Sequence, residues 1–156
     1  MTKFDKSLRF GQALEQRLLD RLLVPFRDAV RVFGKDSRCD IKIPELDITI
    51  EVKSDITSRD TGNIVVEYFH NAPSGILKST ADYWMFDTGV EEIWISRQRI
   101  VLCILVEQLS PAKIHGADDR HPKLVYLIPR QTLVNYSFRV RALDISEQRQ
   151  ASRDNR

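Results

Sequence analysis

Cysteine is nearly absent from this chain: among 156 residues only Cys39 and Cys103 occur, far apart and without metal-ligand spacing. Neither a disulfide framework nor a cysteine-bound zinc site is expected from such a pair, and a reducing cytoplasm is the default compartment. His70, His115 and His121 show no partner spacing of a zinc or HNH-type centre and read as solvated loop residues. The few glycines form no Walker-type phosphate loop, which argues against an ATP-driven function. Long apolar runs are missing too. The longest, Ile100 to Val106, falls far short of the roughly 20 residues of a membrane-spanning helix. Met1 to Phe10 mixes Lys3, Asp5, Lys6 and Arg9 with few apolar residues, unlike the apolar stretch of a secretory signal, so no membrane partner is expected.

What is present is ordinary globular composition, with 42% hydrophobic and 29% charged residues. A chain of this length is expected to bury about two-thirds of its unfolded surface around one core. With no internal repeat or linker, the expectation is a single domain over residues 1–145, followed by a polar tail over 146–156. Net charge is only +2 but unevenly spread: residues 1–96 carry 13 Lys and Arg against 16 Asp and Glu, and residues 97–156 carry 11 against 6. An acidic metal site beside a basic surface that tracks a phosphate backbone would produce this asymmetry, as would chance.

Along the chain, Phe10, Leu14, Leu18 and Leu22 recur at helical spacing and predict an amphipathic helix from Ser7 to Leu23, closed near Pro25. A second short helical piece is expected through Phe26, Val30 and Phe33, ending at Gly34. The period then changes to two. Ile41, Ile43, Ile48, Ile50 and Val52 alternate with polar residues about a Pro44-Glu45-Leu46-Asp47 turn, which predicts a hairpin. Strands are further expected over 64–69, 83–86, 92–96 and 124–128, with a short helix within 76–82. Gln98 to Leu109 is apolar and β-branched enough to be helix or strand. Residues 111–122 read as a polar loop, and 131–133 as a helical turn or a connection. Together these predict an α/β fold, a central mixed sheet flanked by helices.

The hairpin carries the chemistry. If Ile43 faces Ile48, counting back along both strands sets Asp40 opposite Glu51, and alternation gathers Asp40, Lys42, Thr49, Glu51 and Lys53 on a wholly polar face opposite the core. Like charges directly opposed destabilise a sheet by up to about 1 kcal/mol, so the pair calls for a cation between them. Mg²⁺, with Mn²⁺ as substitute, suits two carboxylates, water and a substrate phosphate, and the Val52 carbonyl is an extra candidate ligand. Lys53 on the same face would reach that phosphate. A metal to lower the pKa of bound water and an ammonium to steady the developing charge are what phosphodiester hydrolysis requires. Whether Lys53 positions the water, deprotonates it or stabilises the transition state stays open. So does the alternative of an amphipathic hairpin with a merely solvated polar face.

The stretch Cys39-Asp40-Ile41, followed by Ile48-Thr49-Ile50-Glu51-Val52-Lys53-Ser54, resembles the core of the PD-(D/E)XK nuclease superfamily, which includes restriction enzymes, Holliday-junction resolvases and phage nucleases. Gly62-Asn63-Ile64-Val65-Val66-Glu67-Tyr68, Ser74-Gly75-Ile76 and Ala81-Asp82-Tyr83-Trp84 resemble its phage-encoded members, so the likeness spans residues 11–86. Cys39 stands where the motif has proline. The resemblance implies a restriction-endonuclease-like core, Mg²⁺ at Asp40 and Glu51, DNA as substrate, a homodimer, and an acidic residue on the preceding helix. Glu15 matches the last of these as a metal or water ligand, or is an exposed helical acid paired with a nearby arginine.

Secondary candidates follow from position. Glu67 would join the acidic cluster or is an edge-strand charge. Ser74 with Lys78 and Thr80 would hold phosphate at a helix start, or simply begin the helix. Asp47 is a rival first carboxylate, although a turn role suits it better, and Trp84 and Trp94 are expected in the core, with base stacking at a DNA junction as the alternative. The activity expected is metal-dependent endonucleolytic cleavage of DNA, with a catalytically inactive DNA-binding or regulatory protein of the same fold as the alternative.

Overall fold

The computed structural model describes residues 3–34, 38–115 and 121–143. Helix α1 (Lys3–Leu22) opens the chain, with Leu14, Leu18 and Leu19 buried along one stripe. It ends where expected, just before Pro25, whose missing N–H cannot continue a helix. The helical piece expected through Phe26, Val30 and Phe33 is absent. Val30–Arg31 is instead strand β1, paired antiparallel with Lys42 and Ile41. Val30 and Phe33 are exposed at 48% and 77%, so the three apolar positions never form a buried stripe, and pairing at the sheet edge decides the conformation.

Strands β2 (Ile41–Ile43) and β3 (Ile48–Ser54) form the predicted hairpin, with Ile43 opposite Ile48 and Ile41 opposite Ile50. A single turn of 3₁₀ helix, Pro44–Leu46, joins them, closed by Asp47 in the left-handed region with its N–H donating to the Pro44 carbonyl. Helix α2 (Ser58–Thr61) leads into β4 (Asn63–Phe69), and α3 (Gly75–Lys78) into the hairpin β5 (Tyr83–Asp87) and β6 (Glu91–Ser96). The ambiguous apolar run is helix α4 (Arg97–Val106), started by the Ser96 hydroxyl accepting the Arg99 N–H. Part of the expected polar loop is strand β7 (Pro111–Ile114), an edge strand with alternate residues exposed, paired with β8 (Lys123–Pro129). Helix α5 (Arg130–Tyr136) and strand β9 (Arg139–Ala142) follow. The tail expected over 146–156 lies outside the described residues.

The architecture is α/β with a mixed sheet in the order β1-β2-β3-β5-β6-β9, in which only β3 and β5 run parallel, and a second antiparallel sheet β4-β8-β7. The large sheet has a hydrophobic core on each face. On one, α1 packs Leu14 and Leu18 over Ile41, Ile43, Ile50, Val52 and Met85. On the other, Trp84, Phe86, Ile93 and Ile95 pack against Ile64 and Val66 of β4, Ile128 of β8, and the helices α4 and α5. Each fully buried aliphatic side chain contributes roughly 1.5–3 kcal/mol. The hairpin face read as wholly polar is therefore not open: its neighbours on β5 are buried aromatics. No helix among the described residues is long and apolar enough to cross a membrane.

Gly75 seats α3 closely on β4. It has φ +46, and a Cβ there would stand 2.1 Å from the Glu67 carbonyl oxygen. Only glycine combines that conformation with that approach. Gly75→Ala is expected to cost roughly 3 kcal/mol, read as a lowered denaturation midpoint; an unchanged midpoint would show that α3 does not need its seat on β4.

Candidate active site

Asp40 stands where β2 leaves the ladder. Its N–H donates to the Ile50 carbonyl at 2.9 Å, and its carbonyl accepts from Val32 at 2.8 Å. Its carboxylate turns toward β3, where Oδ2 accepts the Val52 N–H at 2.7 Å. That amide has no β2 backbone opposite it, and the side chain supplies the acceptor a longer strand would have given. Asp40 is thereby clamped beside the Glu-x-Lys segment, as the register implies.

Glu51 and Lys53 project from the opposite face to Ile50 and Val52. Glu51 is only 8% exposed; Oε1 lies 2.6 Å from Lys53 Nζ, and Oε2 3.1 Å from the Ser79 hydroxyl. Lys53 Nζ also sits 5.7 Å from the ring centroid of Trp84, the residue opposite Glu51 on β5. Both residues line a cleft of about 250 Å³ whose other walls include Glu67 of β4, Gly75 and Lys78 of α3, and Ser79. Asp40 flanks this cleft and does not line it.

Two acids share one ammonium here, and the balance shows at Asp40 and Lys53. Burial, and then the Glu51 charge, raise the Asp40 pKa from 3.8 to about 6, against the lowering pull of the Val52 N–H and Lys53. Burial pulls the Lys53 pKa down, but Glu51, Asp40 and Glu67 outweigh it and the net shift is upward. Lys53 is thus a fixed cation suited to facing a phosphate, and a poor proton acceptor. The Cys39 thiol is raised by burial, then by Asp40 and Glu51, which keeps it neutral and unreactive.

Other candidates are placed unequally. Glu15 is engaged by Arg31 of β1, with Nε at 2.6 Å, and does not line the cleft, although its charge adds to the rise at Asp40. Glu67 lines the cleft, 3.7 Å from Lys123 Nζ. Lys78 is a cleft wall, Thr80 is exposed with its amide donating to the Arg38 carbonyl, and the Ser74 hydroxyl is buried without a partner among the described residues. Asp47 is a turn residue with its side chain 94% exposed. Trp84 is core at 1% exposure, while Trp94 is half-buried on the other face. None of the three histidines lines the cleft.

Sequence reasoning overlooked Ser79 and Asp55. Ser79 is placed by the end of α3, in a connection without periodicity, and carries no local signal. Asp55 lines the cleft but accepts the Val65 N–H at 2.7 Å and the Thr57 hydroxyl at 3.0 Å, which ties the end of β3 to β4.

The donor set suits a hard divalent ion in its chemistry, since one or two carboxylates completed by water and phosphate oxygens are the usual Mg²⁺ environment. Among the described residues, however, no three His, Cys, Asp or Glu side chains converge as a ready metal site. No protein-family model, characterised protein or solved structure matches the chain, so the site's own geometry carries its interpretation.

Because the folded-state pKa of Asp40 lies above its ordinary value, its protonated form stabilises the fold below about pH 4, and that contribution is lost as pH rises through about 6. Asp40→Asn keeps an acceptor for Val52 and removes the charge. In chelator at pH 8 it should raise Tm by roughly 4–8 °C, equivalent to about 2 kcal/mol, with the difference vanishing at pH 4. Equal melting at pH 8 would show that the acidic pair costs the fold nothing.

Proposed function

We propose that the protein is a Mg²⁺-dependent endonuclease that hydrolyses DNA phosphodiester bonds. The observation that carries this reading is the placement of Glu51 and Lys53 on one cleft wall, with Asp40 clamped to the residue between them. Such a carboxylate pair gains when extra positive charge arrives, and a metal ion supplies more than a proton does. The antiparallel β2–β3 pair beside a parallel β5 also agrees with the restriction-endonuclease-like core that the PD-(D/E)XK resemblance implies.

Asp40 and Glu51, with the Val52 carbonyl beside them, would hold the ion. When bound, it supplies a lowered pKa for coordinated water and charge neutralisation at phosphate. Lys53 places its ammonium against the oxygens that gain charge in the transition state. Ser79 orients Glu51 through its hydroxyl, and Lys78 extends the positive wall toward a neighbouring phosphate. Glu15, neutralised by Arg31, tunes Asp40 from behind. Cutting both strands of a duplex takes two such sites, so this reading expects a homodimer.

A second reading has an observation of its own. The Glu51 oxygens are engaged by Lys53 and Ser79, and one Asp40 oxygen by the Val52 amide. A DNA-binding or regulatory protein that keeps the fold without hydrolysis would close its acids on themselves in this way.

Calorimetry separates the two: the hydrolase reading expects Mg²⁺ or Mn²⁺ binding that disappears in Asp40→Ala. Assayed on labelled linear, single-stranded, flap and four-way DNA with Mg²⁺, Lys53→Ala should cut about 10²–10³-fold more slowly. Cleavage at the wild-type rate by Lys53→Ala would sink the catalytic assignment. Ser79→Ala should weaken metal affinity by about tenfold or more through loss of the Glu51 contact, and unaltered affinity would make Ser79 a purely structural contact of α3.

A further inference from the structure

The α1-side face of the large sheet is covered only in part. Helix α1 lies over β2, β3 and Met85 of β5, and beside it a groove of about 880 Å³ opens, lined by the face of β5, β6 and β9 together with apolar side chains that include Leu22, Phe26, Ile43 and Ile48. Strand register shows which side chains stand there: Trp94 is opposite Arg139, Glu92 is opposite Arg141, and Tyr83 is opposite Ser96. Phe138, 53% exposed, meets the Tyr83 ring edge-on at 5.3 Å, and its N–H donates to the Trp94 carbonyl. The Trp94 indole is held by its Nε1 donating to Glu92 at 3.4 Å. Three aromatic rings therefore line the groove, Tyr83 and Trp94 from the sheet and Phe138 from the residue before β9, with Trp94 partly buried against the α1-side core.

The charge of this groove is one-sided. Four arginines line it, Arg21, Arg99, Arg139 and Arg141, against a single acid, Glu92. Glu92 is held by Arg21 through two bonds of 2.6 and 3.0 Å and approached by Arg141 at 3.8 Å, while Arg99 donates to the Tyr136 carbonyl at 3.1 Å, so the groove keeps an excess of positive charge with its guanidinium groups already positioned. The cleft on the opposite face is mixed by contrast, with Glu51, Asp55 and Glu67 in its walls beside Lys53 and Lys78. The basic excess of residues 97–156 thus surfaces partly here, through Arg99, Arg139 and Arg141.

We propose that this groove binds single-stranded nucleic acid, with bases stacked on Trp94, Tyr83 and Phe138 and phosphates met by Arg99, Arg139 and Arg141. Aromatic faces accept any base, and guanidinium groups track the backbone, which is how sequence-tolerant single-strand binding is built. Duplex DNA, whose bases are stacked within the helix, offers nothing for the rings to hold. The proposal goes beyond hydrolysis, because binding here needs neither the Lys53 cleft nor a metal.

The test uses the full chain in chelator. Titration with oligo-dT should quench tryptophan emission, and Trp94→Phe should remove most of the quench while leaving Trp84 emission. Anisotropy of labelled oligo-dT should show binding at least several-fold tighter than that of a duplex of equal length. Arg139→Ala should weaken it and reduce the slope of log affinity against log salt by about one. A Tyr83→Leu, Phe138→Leu double variant that keeps the wild-type melting profile should lose the preference for single strands. Duplex bound as tightly as oligo-dT, or oligo-dT affinity and salt slope unaltered in both variants, overturns the proposal. Because no step requires cleavage, this reading and the hydrolase reading fail separately.

Discussion

The Asp40 carboxylate accepts the Val52 amide, and much of the site's character follows from that one bond. Strand β2 is only three residues long, so β3 runs past the end of its antiparallel partner with an amide to satisfy. An aspartate there meets the backbone's need and at the same time brings a second acid beside Glu51. Backbone satisfaction and charge crowding thus come from a single side chain. Its cost is a carboxyl whose pKa reaches about 6, because partial burial penalises its charge, the Glu51 charge adds to the rise, and the Val52 amide and Lys53 offset them only in part.

Another buried acid shows what full neutralisation looks like. Glu92, 3% exposed, is gripped at both oxygens by Arg21 and approached by Arg141 and the Trp94 indole. That arrangement pins α1 to β6 and leaves no oxygen without a donor, which is the signature of structure. At Asp40 and Glu51 the donors are one lysine, one serine and one amide. An under-neutralised acidic pair at a cleft is a less stable arrangement, and such sites concentrate where chemistry is done.

The sheet separates charge as well as cores. Since alternate residues of each strand face opposite sides, Glu51 and Lys53 open toward the β4 layer, while Tyr83, Trp94, Arg139 and Arg141 open on the α1 side. The layer containing β4 and α3 closes over the first face far enough to make a cleft of it. Helix α1 is narrower than the sheet beneath it and leaves the second face partly bare.

The hairpin was legible in the chain because alternation with period two and a Pro44 to Asp47 turn are local, and they carried the facing of Asp40 toward Glu51 with them. Helix α1 was legible for the same reason, its Phe10, Leu14, Leu18 and Leu22 recurring at the helical period over about three turns. Helix α4 was not, since a run apolar on every side has no period to read, and Val30–Arg31 was misassigned because so short a segment takes its conformation from the strand it joins. Nor could local pattern reveal Ser79, Asp55 or the closing of β4 and α3 over Glu51. These depend on segments distant in sequence meeting across the sheet. By itself the sequence determined which side chains share a strand face, since that follows from backbone geometry. Tertiary packing alone decided how deeply those side chains are buried and which donors reach them, because desolvation and charge act through space without regard to chain order.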